Sequence, residues 1–145
     1  MALGAAFASC GGEVAPPARA ATNATASAPP TSTIPHGDHN PHHGGVVMMK
    51  GDLHYEVVLD PEGRRHRLYF TDAVREDLPA SIASAVSLEV RRPEAPAETI
   101  RLQIDEAGES WAGTGRPVTI GGALAVHVAF TIGGDAYAID LPYQK

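Results

Sequence analysis

Ala123-Leu-Ala-Val-His-Val-Ala-Phe-Thr-Ile-Gly-Gly-Asp-Ala-Tyr-Ala-Ile-Asp-Leu141 reads as two strands on either side of a glycine pair. Gly133-Gly134 is a two-residue hairpin loop, because glycine takes the positive φ that such turns need. Folding back there sets Phe130 opposite Tyr137, Val128 opposite Ile139 and Val126 opposite Leu141. The other face then carries Ala129 opposite Ala138 and His127 opposite Asp140. One face is apolar and the other small or wet, which is how a half-buried antiparallel pair alternates.

The same pattern extends outward over everything after Gly45. Turn residues punctuate the chain, apolar residues alternate between them, and no stretch of useful length keeps a 3.6-residue period. Strands are expected near 45–49, 53–59, 65–71, 84–92, 98–105, 109–113, 117–120, 123–132 and 135–141. Arg75–Ala85 has room for one helical turn. Asp60-Pro-Glu-Gly63 is a turn with proline at a favoured position and glycine at its end. A hairpin closed there places Leu59 opposite Arg64, Val57 opposite His66, Tyr55 opposite Leu68 and Leu53 opposite Phe70. Its other face pairs His54 with Tyr69, Glu56 with Arg67 and Val58 with Arg65. Seven to nine strands in roughly 100 residues point to an all-β fold, an immunoglobulin-like antiparallel β-sandwich, with a small β-barrel as the alternative. With one cysteine in the chain the likeness to immunoglobulin domains is architectural only.

Composition narrows the function. The net charge is −6, with 17 acidic and 11 basic residues, and the basic residues after Gly45 are mixed with acids. Nucleic acid requires a concentrated basic face, so it is not an expected partner. No apolar run is long enough to span a membrane, and a single cysteine allows neither an internal disulfide nor a multi-thiolate zinc site.

The first ten residues, Met1-Ala-Leu-Gly-Ala-Ala-Phe-Ala-Ser-Cys10, run small and apolar into the only cysteine. Phe7, Ala8, Ser9 and Cys10 resemble the lipobox of a bacterial lipoprotein signal peptide. That resemblance implies lipidation at Cys10 and a place in the bacterial cell envelope, on the periplasmic side, with the membrane reached only through the anchor. It departs from the family in having Phe7 where leucine is usual, and in a leader too short for a charged start and a full apolar stretch. Residues 11–43 follow as a stalk dominated by Ala, Pro, Thr and Ser that ends in a histidine-rich segment. So little apolar surface cannot offset chain entropy, and disorder is expected there. The β-sandwich domain is expected over 44–145.

Four of the seven histidines fall in His36-Gly-Asp-His39-Asn-Pro-His42-His43. Imidazole binds copper and zinc at neutral pH, and the thioethers of Met48 and Met49 add soft donors that favour Cu(I). His36, His39, His42, His43, His54, Glu56 and Met49 are therefore the candidate metal ligands, with copper or zinc as the ion. Plainer readings stand beside them. A histidine-rich tract binds metal weakly whatever its purpose. Glu56 opposite Arg67 makes an ordinary cross-strand ion pair, His54 has Tyr69 to stack on, and one of the two methionines belongs in the core. His127 opposite Asp140 reads as a surface pair, and His66, beside its turn, as structural.

His43-Gly-Gly-Val-Val-Met48, Gly51-Asp-Leu-His-Tyr-Glu56 and Arg67-Leu-Tyr-Phe-Thr-Asp72 resemble, over about 30 residues, small exported domains with an HGG start that accompany bacterial heavy-metal efflux and copper handling. The resemblance implies a metal-associated periplasmic role for His43, His54 and Glu56. No nucleophile elbow, phosphate-binding loop, zinc-protease helix or dinucleotide fingerprint is present, so no enzymatic activity is expected. The leading expectation is a lipid-anchored, metallochaperone-like metal-binding protein with an envelope or efflux partner. The alternative is a sandwich module that binds an envelope protein without metal.

Overall fold

A computed structural model of the chain describes residues 39–119 and 121–144. The lipobox with Cys10, most of the stalk, and His36 lie outside the described residues. The described residues belong to one compact unit.

Ten strands appear among them: β1 (Val46–Lys50), β2 (Leu53–Val58), β3 (His66–Thr71), β4 (Asp77–Leu78), β5 (Ala83–Arg92), β6 (Ala95–Arg101), β7 (Gln103–Ile104), β8 (Trp111–Gly113), β9 (Leu124–Ile132) and β10 (Asp135–Tyr143). One 3-10 turn, Ala80–Ile82, precedes β5, inside the stretch expected to hold a helical turn. The first sheet runs β1-β2-β3-β8-β7 with β4 added to β3, and the second runs β10-β9-β5-β6. Every pairing is antiparallel. The fold is the all-β sandwich of two antiparallel sheets that the alternation implies, and it is not a closed barrel. No described helix is long and apolar enough to cross a membrane.

The core lies between the sheets. Tyr55, Val57, Leu68 and Phe70 from the first sheet meet Leu88, Val90, Val126, Val128 and Phe130 from the second. Phe130 takes Tyr55 and Phe70 edge-on, with ring centres 5.3 and 5.1 Å away. Such contacts add to the area buried. Tyr143, at the end of β10, reaches across so that its hydroxyl accepts the Leu59 amide at 3.1 Å.

The β9–β10 register is the expected one throughout, including Phe130 with Tyr137 and His127 with Asp140. The β2–β3 register is not. Val57 pairs with Leu68, Tyr55 with Phe70, Glu56 with Tyr69 and His54 with Thr71, two residues from expectation. The Asp60–Gly63 turn does form, with the Gly63 amide on the Asp60 carbonyl at 2.9 Å. It sits inside a wider loop, however. The Asp60 carboxylate accepts the Glu62 and Arg65 amides, and the Asp60 amide donates to His66 Nδ1 at 3.1 Å. The loop also bonds forward, Gly115 N–H to the Gly63 carbonyl and Val118 N–H to the Pro61 carbonyl. Those bonds take up the backbone near 117–119, so the strand expected there is absent among its described residues while Val118 is buried. The segment expected as one strand over 98–105 breaks at Leu102 into β6 and β7, which join different sheets. A slip of two keeps each side chain on its face, so the inward set was unaffected.

Candidate metal centre

The outward face of β2 and β3 was expected to be wet. It is covered instead: His54 is fully buried and Glu56 and Thr71 nearly so. The cover is the chain just ahead of β1. Gly44 takes a φ of 75°, and Gly45 lies so close to β2 that a Cβ there would sit 2.2 Å from the Val57 carbonyl oxygen. Only glycine permits both the turn and the approach.

Glu56 fastens this cover. One carboxylate oxygen accepts the Gly45 amide at 2.7 Å and the His43 amide at 2.9 Å, and the other accepts the His42 amide at 2.9 Å. A buried carboxylate is tolerated when its lone pairs meet such donors. The ion pair expected between Glu56 and Arg67 is therefore replaced, and Arg67 donates to the Tyr69 hydroxyl at 2.7 Å. Tyr69 stacks on His43, not on His54, with ring centres 3.6 Å apart and planes within 5°. His43 Nε2 also stands 3.9 Å from Asp77 on the flank of a cleft that continues to Pro79 and Glu109.

His54 lies deeper. Its Nδ1 is 3.0 Å from the Asp72 backbone carbonyl, which can only accept, so Nδ1 carries the hydrogen. In the neutral ring Nε2 then holds a lone pair. That atom is buried without a hydrogen-bond partner. The Asp72 loop that supplies the carbonyl is closed by its own side chain, which accepts the Val74 and Glu76 amides. Arg75, at φ 71°, bonds Thr71 Oγ1 at 3.0 Å and the Asn40 carbonyl at 2.9 Å. Arg75 thus ties the incoming chain beside His54. His39, exposed at the rim, brings its ring centre to 5.4 Å from that of His54. Met49 pairs directly with His54 across β1 and β2.

Of the residues singled out in the sequence, His39 and His54 are brought together, and Met49 stands opposite His54 in the strand register. His42 and His43 are neighbours, with ring centres 6.4 Å apart, but His43 is directed to Tyr69. Glu56 stands on the same face of β2 as His54 with both oxygens engaged by backbone. Among the described residues no three His, Cys, Asp or Glu side chains converge. Asp72 and Arg75 position the site and were not foreseen. A backbone carbonyl leaves no mark in a sequence, although Asp72, two and four residues ahead of Val74 and Glu76, fits a side-chain-closed turn.

Two other histidines serve as contrasts. His66 is fully buried, and its Nε2 also lacks a hydrogen bond of good geometry, but it abuts Gly115 and the Arg116 backbone. Burial lowers its pKa, opposed in part by the Arg116 backbone, Asp60 and Glu98. His127 lies on the open face of β9, 3.0 Å from Asp140, which also receives Arg91 at 2.8 Å. The bond from His127, helped by Arg91, holds the Asp140 carboxyl below the usual range.

No family model, no curated protein and no solved structure matches the chain.

Proposed function

We propose that this is an extracytoplasmic, lipid-anchored protein that binds a transition-metal ion, copper or zinc, in a metallochaperone-like role. The observation that carries the reading is the buried Nε2 of His54, free of any hydrogen-bond partner, with a second imidazole beside it. A buried polar nitrogen without a partner is costly, and a metal ion is one of the few things that relieves it. The Nδ1–H bond to the Asp72 carbonyl is how a ligating imidazole is commonly oriented. With nitrogen about 2.0 Å from an ion, two ligating rings have their centres roughly 5–6 Å apart, which is the spacing of His39 and His54. Met49 supplies a third donor at the rim. The histidine-rich approach, His36 to His43, would concentrate the ion near this point, and lipidation at Cys10 would hold the domain at the envelope.

Isothermal titration of the full chain with Cu(I) under anaerobic conditions, Cu(II) and Zn(II) tests the reading. Binding of at least one of these ions at about micromolar Kd or tighter, roughly 8 kcal/mol, is expected. It should be lost in the His39→Ala/His54→Ala double variant and kept when His36, His42 and His43 are replaced by alanine. Because His54 is buried, His39→Ala alone provides a fold-neutral companion, with the fluorescence of the single tryptophan, Trp111, confirming the fold. Equally weak binding by the wild type and the double variant rejects the proposal.

A further inference from the structure

Resting on the His39–His54 reading, we infer that Met49 makes the site selective for cuprous copper over zinc. Adjacent methionines in β1 have opposite roles. Met48, paired with Tyr55, packs against the core, whereas Met49, paired with His54, points to the outer face and is 41% exposed. Directly paired residues of antiparallel strands have Cβ atoms about 5 Å apart, which brings the flexible thioether within reach of the His54 ring edge. Met49 is not among the side chains packed on the core.

The donor set fits one kind of ion. Two neutral imidazoles and a thioether bring no negative charge and one soft sulfur, which suits a monovalent soft cation at low coordination number. Zinc takes four ligands in structural sites, drawing on thiolate, imidazole and carboxylate. The carboxylate next along this face of β2 is Glu56, and its oxygens already accept amides at 2.7 to 2.9 Å. A zinc ion would find neither a fourth side chain nor a neutralising charge among the described residues, which contain no convergence of three His, Cys, Asp or Glu groups.

The test compares the full-length wild type, Met49→Leu and Met48→Leu. Cu(I) affinity is measured anaerobically against a coloured cuprous chelator, and Zn(II) affinity against a zinc indicator. Met49→Leu should weaken Cu(I) by more than about tenfold and leave Zn(II) within about threefold of wild type. Met48→Leu should leave Cu(I) affinity unchanged. X-ray absorption of the Cu(I) complex should show a sulfur scatterer that disappears in Met49→Leu. If Met49→Leu holds Cu(I) as tightly as wild type while His39→Ala/His54→Ala does not, the histidine site stands and the selectivity inference falls. If the wild type binds neither ion, both fall.

Discussion

Two histidines occupy equivalent places in two hairpins of this sandwich, and their surroundings could hardly differ more. His127 on β9 projects from the outer face of the second sheet into solvent, beside Asp140. His54 on β2 projects from the outer face of the first sheet and is sealed from solvent, with one nitrogen on a carbonyl and the other on nothing. Strand alternation assigns both to the side away from the core and says no more. What separates them, among the described residues, is a few residues of incoming chain pinned over β2 by Glu56 and Arg75. A sheet face is sealed when a loop is laid over it, and the laying is controlled by the residues that receive the loop's backbone.

The sharpest way to break that comparison is to remove the fastening. Glu56→Ala strands three amide donors against β2 and should cost about 3 kcal/mol or more, read as a drop in the urea midpoint. Arg67→Ala should cost less than about 1 kcal/mol, since among the described residues its side chain bonds the Tyr69 hydroxyl and not Glu56; a loss as large as that of Glu56→Ala would restore the ion pair and overturn the register described above.

A pH series sharpens the contrast between sealed and open imidazoles. Burial holds the His66 pKa below its ordinary value, so the unfolded chain takes up a proton first as the pH falls. The stability contributed by His66 is complete above about pH 6.5 and declines below it. Urea midpoints measured from pH 8 to 5 should fall less for His66→Asn, which keeps an acceptor for the Asp60 amide, than for wild type. Identical pH profiles would contradict the assignment.

The smallest effect is expected on the open face. His127→Ala should leave both the urea midpoint at pH 7 and metal affinity unchanged, because exposed pairs contribute little. A loss of binding in that variant would move the site to the second sheet.

How much could be read beforehand follows from the same contrast. The β9–β10 hairpin was legible to the residue because its loop is two glycines, and such a loop fixes the register by itself. The β2–β3 hairpin was legible only in its facing. Asp60, Pro61 and Gly63 do make a turn, but the Asp60 side chain and His66 hold a wider loop around it, and bonds to Gly115 and Val118 decide its width. Those partners are some 50 residues downstream, beyond the reach of local turn chemistry. Candidate donors were legible as residue types. Their grouping was not, since it depends on the Asp72 carbonyl and on a reversed role for Glu56, whose apparent partner Arg67 lies elsewhere.

The amide clamp at Glu56 also has a mechanical consequence. β1 is an edge strand of five residues, and tension on its N-terminal side would ordinarily peel it from β2 one bond at a time. Here a pull on the chain ahead of Asn40 first loads the bond from Arg75 to the Asn40 carbonyl and then the carboxylate of Glu56, anchored on the neighbouring strand. Three bonds converge there and must break before the first rung of the β1–β2 ladder is loaded. The Glu56 carboxylate thus shields the β1–β2 ladder from a load applied on its N-terminal side.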